Sequence, residues 1–149
     1  MEALFARILN ARRKRLLGTK PLLEPHMPAT DIPDVEGRVG ASLPESLSAW
    51  LSVAGYGDLN DVLSFRSEWF SVIERGELKG HVMFAQDILG NFYSFSPADG
   101  AIHFICRSAP EYAFLAKHFG AFLEELERRD FQLEAWTDSL DAQPYEWGT

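Results

Sequence analysis

Between Tyr56 and Glu77 the chain carries five carboxylates, Asp58, Asp61, Glu68, Glu74 and Glu77, against two arginines, Arg66 and Arg75. Two amphipathic aromatics, Tyr56 and Trp69, lie in the same stretch. Aromatic anchors ringed by charge are the usual anatomy of a tight protein interface, and loops and edge strands are where partners bind. On such a surface, rim carboxylates govern the association rate and its salt dependence, while a tryptophan governs dissociation. These residues form the candidate partner-binding set. The competing account is that Trp69 is a core residue and the carboxylates serve only solubility.

Catalytic and ligand-binding patterns are sparse. Gly55-Tyr56-Gly57-Asp58-Leu59-Asn60 begins like a dinucleotide fingerprint, but it lacks the third glycine and follows a helical pattern instead of a strand. No Gly-x-Ser-x-Gly elbow and no Gly-x-x-x-x-Gly-Lys phosphate loop occurs. His26, His81, His103 and His118 are scattered. His103 and Cys106 are three apart on an expected strand, which puts them on opposite faces and makes a poor metal pair. Asp58 and Asp61 flank a turn, where aspartate serves local hydrogen bonding. Cys106 reads as an inert core thiol. The expectation is no metal, no cofactor and no catalytic residue, although carboxylates distant in sequence can still meet in a fold.

The charge is uneven. The 149 residues carry a formal net charge of -8. Residues 1–20 hold six basic groups and one acidic group, while the remainder holds eight basic and 21 acidic groups. An acidic body repels phosphate backbones and speeds encounter with a basic protein. No stretch reaches the roughly 20 apolar residues of a membrane helix. The N-terminus is not patterned as a signal peptide, because Arg7 interrupts its apolar part and the basic cluster follows that part. A cytoplasmic protein without a membrane or nucleic-acid partner is the default, a monomer or a weak homodimer. The single cysteine excludes an internal disulfide.

The elements that must hold the candidate set follow from periodicity. Residues 2–17 pattern as an amphipathic helix through Leu4, Phe5, Ile8 and Leu9, with Arg12 to Arg15 in its last turns. That basic cluster is either a solvated helix end or a nucleic-acid or membrane contact. Pro21, Pro25 and Pro28 mark a linker. A short helix is expected from a cap at Thr30 or Asp31, with Pro33 in its first turn and Gly40 after its end. A second runs from Pro44 to Gly55, with Leu47, Trp50, Leu51 and Ala54 on one face. The runs Val62–Arg66, Trp69–Ile73, His81–Gln86, Asn91–Ser96 and Ala101–Cys106 predict antiparallel strands. Pro97-Ala98-Asp99-Gly100 and Leu89-Gly90-Asn91 are the turns. The spacing of Phe114, His118, Phe122 and Leu126 predicts a long helix from Pro110 to Arg129, with Glu124–Arg128 and Glu125–Arg129 pairs. The polar tail from Thr137 either packs back or stays mobile. The predicted core is Leu47, Trp50, Leu51, Phe84, Phe95, Ile102, Phe104, Phe114, Phe122 and Leu126.

Two stretches resemble the SUKH superfamily, which includes bacterial immunity proteins and fungal cell-wall regulators. The first runs from Ile32 to Gly57, with Glu36, Gly40, Leu43, Pro44, Leu51, Gly55 and Gly57 in the family's pattern. The second runs from Phe84 to Phe95, followed by Gly100 and Ile102, with Asn91 where the family often has aspartate. The resemblance covers about residues 31–128. It implies an α+β fold, a mainly antiparallel sheet of about five to six strands with helices packed against it, in a single domain. The organisation expected is an N-terminal helix and linker over 1–30, the domain over 31–136 and a tail over 137–149. It also implies a binding protein, such as an immunity protein that occludes a cognate, basic toxin (a nuclease, for example). A regulatory module with a non-toxin partner and a small enzyme built from dispersed residues are the competing readings.

Overall fold

The computed structural model describes residues 3–9, 29–59 and 62–146. The expected basic helix end over 10–17, the linker prolines and Asp61 lie outside the described residues. Residues 3–9 are helical (α1). Helix α2 spans Ile32–Val39 behind Asp31, with Pro33 in its first turn. It ends at Gly40, whose φ of 70° lies in the left-handed region that glycine adopts without steric cost. Helix α3 spans Glu45–Ala54 between Pro44 and Gly55. It buries the expected stripe of Leu47, Trp50, Leu51 and Ala54.

The strands are β1 (Gly57–Leu59), β2 (Leu63–Phe65), β3 (Ser71–Val72), β4 (Val82–Asp87), β5 (Phe92–Phe95), β6 (Ile102–Ile105), β7 (Glu111–Ala116) and β8 (Gln143–Pro144). Helices α4 (Phe119–Arg128) and α5 (Leu133–Asp138) follow β7. All strand pairs are antiparallel, in the order β1-β2-β4-β5-β6-β7-β8, and β3 pairs with β4 beside β2. The α+β class stands, but the sheet has eight strands where five to six are expected. The additions are β1, β7 and β8, too short or too evenly apolar to show a period of two.

The largest departure is at residues 111–116. They form β7, and the long helix begins only at Phe119. Phe114 and His118 fit a helical stripe, but the strand pairs with β6 and turns Ala113 and Leu115, on either side of Phe114, inward to burial. Phe114 is 52% exposed and leaves the predicted core; the other nine members of that core are buried. Of the two alternatives for the tail, packing back is the one seen, with Tyr145 buried, while helix α5 just before it is not among the expected elements. In α4, Arg128 and Arg129 both pair with Glu125, so the expected Glu124–Arg128 bridge does not form.

Successive side chains of a strand point to opposite faces. One face, with Leu63, Phe65, Tyr93, Phe95 and Phe104, joins all five described helices in one core. Register shifts after Met83 and Ile102 let the neighbours Phe84 and Ala85, and Leu115 and Ala116, enter that core together. Helix α1 docks through Phe5, whose ring meets Trp50 edge-on at 5.3 Å. The opposite face carries a smaller cluster of Ile73, Leu78, Ile105 and Tyr145. Tyr145 donates its hydroxyl to the Arg75 carbonyl at 2.5 Å. A Cβ on Gly76, at φ 87°, would come within 2.4 Å of the Tyr145 ring, so glycine is required there.

Candidate protein-binding surface

The residues that carry the family resemblance spend their polarity on the frame. Glu36 reaches past the end of α2 and accepts the Leu43 N–H at 2.7 Å, fixing the turn into α3. Asp87 holds the β4–β5 turn. Its Oδ1 accepts the N–H groups of Leu89 and Asn91, both at 3.0 Å, and its Oδ2 accepts from Asn91 Nδ2 and the Tyr93 hydroxyl. Asn91 in turn accepts the Arg107 N–H at 2.9 Å, so asparagine serves this turn fully. Burial, with the Asp87 charge behind it, pushes the Tyr93 hydroxyl well above its ordinary pKa, so it stays a donor.

The candidate binding set is spread along the side of the sheet formed by β1, β2 and β3. Asp58 lies on the outermost strand, and Ser64 across from it donates to its carboxylate. Tyr56 is half-buried. It donates to Asp31 at 2.7 Å and its ring lies edge-on to Phe70, so it joins α2 to the sheet. Glu68 is exposed and Trp69 half-buried in a single 3-10 turn, Ser67–Trp69, between β2 and β3. Arg66 stacks over the Trp69 ring at 5.1 Å. Arg38 of α2 fixes this turn by donating to the Ser67 and Phe70 carbonyls. Its importance has no short-range sequence signal, because its partners are backbone atoms far along the chain.

Glu74 and Glu77 lie in the β3–β4 connection, where the Glu77 carboxylate accepts the Glu146 N–H at 3.0 Å. Asp58 is level with Gln86 through Ser64, while Ile73 lies opposite His81. Five residues separate these levels, roughly 16 Å at the rise of a strand. The set is thus a strip with Glu68 and Trp69 near its middle, and the exposed Val72 of β3 lies within it. Asp58, Glu68, Glu74 and Glu77 form no ion pair among the described residues.

A groove of about 960 Å³ runs between α3 and the β5–β6 turn, past Phe5, Glu45, Val53, Asp99 and His118. Several of its polar groups are engaged by the fold. His118 Nδ1 accepts the Ala121 N–H at 3.0 Å and Ser46 accepts the Gly120 N–H at 3.2 Å, so both cap α4. Asp99 accepts the Ala101 N–H, and this bond, with one from Ser96, lowers its pKa. Cys106 sits just past β6, half-buried, with its sulfur 3.4 Å from the Ser108 hydroxyl. Among the described residues no group of three or more His, Cys, Asp or Glu side chains is arranged to hold a metal ion. Among them, too, no helix is long and apolar enough to cross a membrane.

No curated protein and no solved structure matches the chain. The SMI1 / KNR4 family (SUKH-1) matches residues 28–125, from just before α2 into α4, and therefore takes in both the Glu36 and the Asp87 turns. With that match spanning well over half of its length, the chain belongs to the SMI1 / KNR4 family (SUKH-1).

Proposed function

We propose that this protein is a non-catalytic binding protein of the immunity type, which neutralises a cognate, basic toxin by covering it. The observation that carries this reading is the strip of carboxylates along β1–β3, unpaired among the described residues and centred on Trp69. Such a strip attracts a cationic partner from a distance, and a half-buried tryptophan supplies the short-range contact. Family membership fits a protein-binding role. The non-catalytic part is supported by the groove, whose serine, histidine and aspartate side chains serve caps and turns. The other reading is a regulatory module of the same fold whose partner is not a toxin. It uses the same strip and differs only in what docks there.

The test has two steps. Cells expressing the toxic domain encoded beside this gene should survive when the chain is co-expressed. Glu68→Lys with Glu74→Lys should then weaken binding to that domain about tenfold or more at low salt, chiefly through the association rate, with the difference shrinking at high salt. Unchanged low-salt binding by a folded double variant rules the strip out.

A further inference from the structure

Just beyond the Asp58 end of the strip, the β4–β5 turn carries the two most exposed large apolar side chains among the described residues, Ile88 at 70% and Leu89 at 58%. They are not loosely held, because Asp87 fixes the turn beneath them through four accepted hydrogen bonds. The turn overhangs a pocket of about 170 Å³, whose far wall is the α4–α5 connection. Asp130 and Phe131 of that wall stand at φ 54° and 60°, consecutive non-glycine residues in the left-handed region. They are held there by N–H bonds back to the Glu127 and Leu126 carbonyls at 2.9 and 2.8 Å.

The lining divides by chemistry. Ile88, Leu89 and Phe131 are apolar; Asp130 and Glu134 are acidic and exposed; among the described residues no lysine or arginine lines the pocket. The nearby Arg128 and Arg129 are engaged with Glu125, and Arg129 also covers Trp136. Neither Asp130 nor Glu134 forms an ion pair among the described residues. The volume equals roughly that of five or six water molecules, which suits one long side chain and neither a nucleotide nor a second helix.

We propose that this pocket receives an arginine side chain of the protein partner, its aliphatic stem along Ile88 and Leu89 and its guanidinium between Phe131, Asp130 and Glu134. A planar guanidinium stacks on a ring and pairs with carboxylates in two-pronged fashion, which an ammonium does not. This rests on the proposed reading only in taking the partner to be basic. The pocket is a second contact point beyond the Asp58 end of the strip, and Val62 borders both.

The probe is N-acetyl-arginine amide, titrated into the isotope-labelled full chain and followed by NMR. It should give saturable shifts at the amides of Leu89, Phe131, Gln132 and Leu133. N-acetyl-lysine amide should bind more weakly, and N-acetyl-norleucine amide should not saturate. Asp130→Asn with Glu134→Gln should weaken the arginine probe about tenfold, the loss expected for charge-assisted hydrogen bonds. Asparagine tolerates the left-handed backbone at position 130, so this variant keeps the fold. Absence of saturable shifts, or equal binding of the norleucine probe, overturns the pocket. If the arginine probe binds but the double variant holds the toxic domain as tightly as the unaltered chain does, insertion of a partner arginine is overturned while the proposed function stands. If the probe binds and the unaltered chain fails to protect cells, the toxin reading falls and the arginine pocket remains supported.

Discussion

On the helix-covered face of the sheet, Phe65, Phe84, Phe95 and Phe119 meet ring to ring at 5.8 to 6.1 Å between centroids, all buried. On the opposite face His81 lies 5.3 Å from His103, and His103 meets the exposed ring of Phe114 at 5.7 Å. The same strands supply both faces, residue by residue. The first is mostly carbon, so its burial is favourable, although it too holds one orphaned polar atom, Trp50 Nε1, with no hydrogen-bond partner among the described residues. The second holds Ser94 Oγ, His81 Nδ1 and His103 Nδ1 buried with no hydrogen-bond partner among the described residues. Polar atoms left this way cost stability. The difference teaches that the helical face holds the fold together, while the other face is tolerated because a loop and the tail cover part of it.

The sharpest way to break this contrast is to truncate one buried ring on each face. Phe122→Ala, beneath Tyr93 and Trp136, should cost about 3–5 kcal/mol. Tyr145→Ala, in the smaller cluster, should cost about 2 kcal/mol, at the low end for large-to-small changes. Urea denaturation of both variants decides it. Equal losses would make the outer cluster a second full core.

Acidification sharpens the same comparison with a smaller effect. Burial lowers the pKa of both His81 and His103; the mutual charge of the pair lowers His103 further, and Asp99 opposes the shift at each. The folded chain therefore binds fewer protons here than the unfolded one. Stability is unaffected by these groups above the ordinary histidine value of about 6.5 and falls as pH drops below it toward the lowered folded values. The urea midpoint should decline between neutral and mildly acidic pH, and His81→Gln with His103→Gln should flatten that decline. A midpoint that rises on acidification would contradict a strained outer face. The smallest effect expected is at Phe114, where replacement by serine should change stability by no more than about 0.5 kcal/mol, checked by thermal melting.

Legibility in the sequence followed the same divide. Helices α2 and α3 are readable because Pro33, Gly40, Pro44 and Gly55 punctuate them locally. The β4–β5–β6 meander is readable from its two turns. Strand β7 is not, because Tyr112 and Phe114 put aromatics on the outer face where alternation would show polar residues. Helix α5 is a single short stretch in which Leu133 and Trp136 are the only apolar pair at helical spacing, too few to mark a period. In the candidate surface, residue types were visible but their commitments were not. The bonds from Tyr56 to Asp31, Arg38 to the 67–70 carbonyls and Glu146 to Glu77 join segments 25 to 69 residues apart. No local pattern encodes such pairings.

Both margins of the sheet end in very short strands. On one side β1 has three residues; on the other β8 has two, one of them Pro144, which has no N–H to offer. Unpaired strand edges template association with further chains, and brevity and proline are what blunt them. The outermost strands themselves therefore offer little ladder for a further chain to join, and the longer stretch at the β8 margin is Ala113–Ala116 of β7, which β8 does not pair. For the binding role proposed above, such margins would let the chain stay dispersed until a partner arrives.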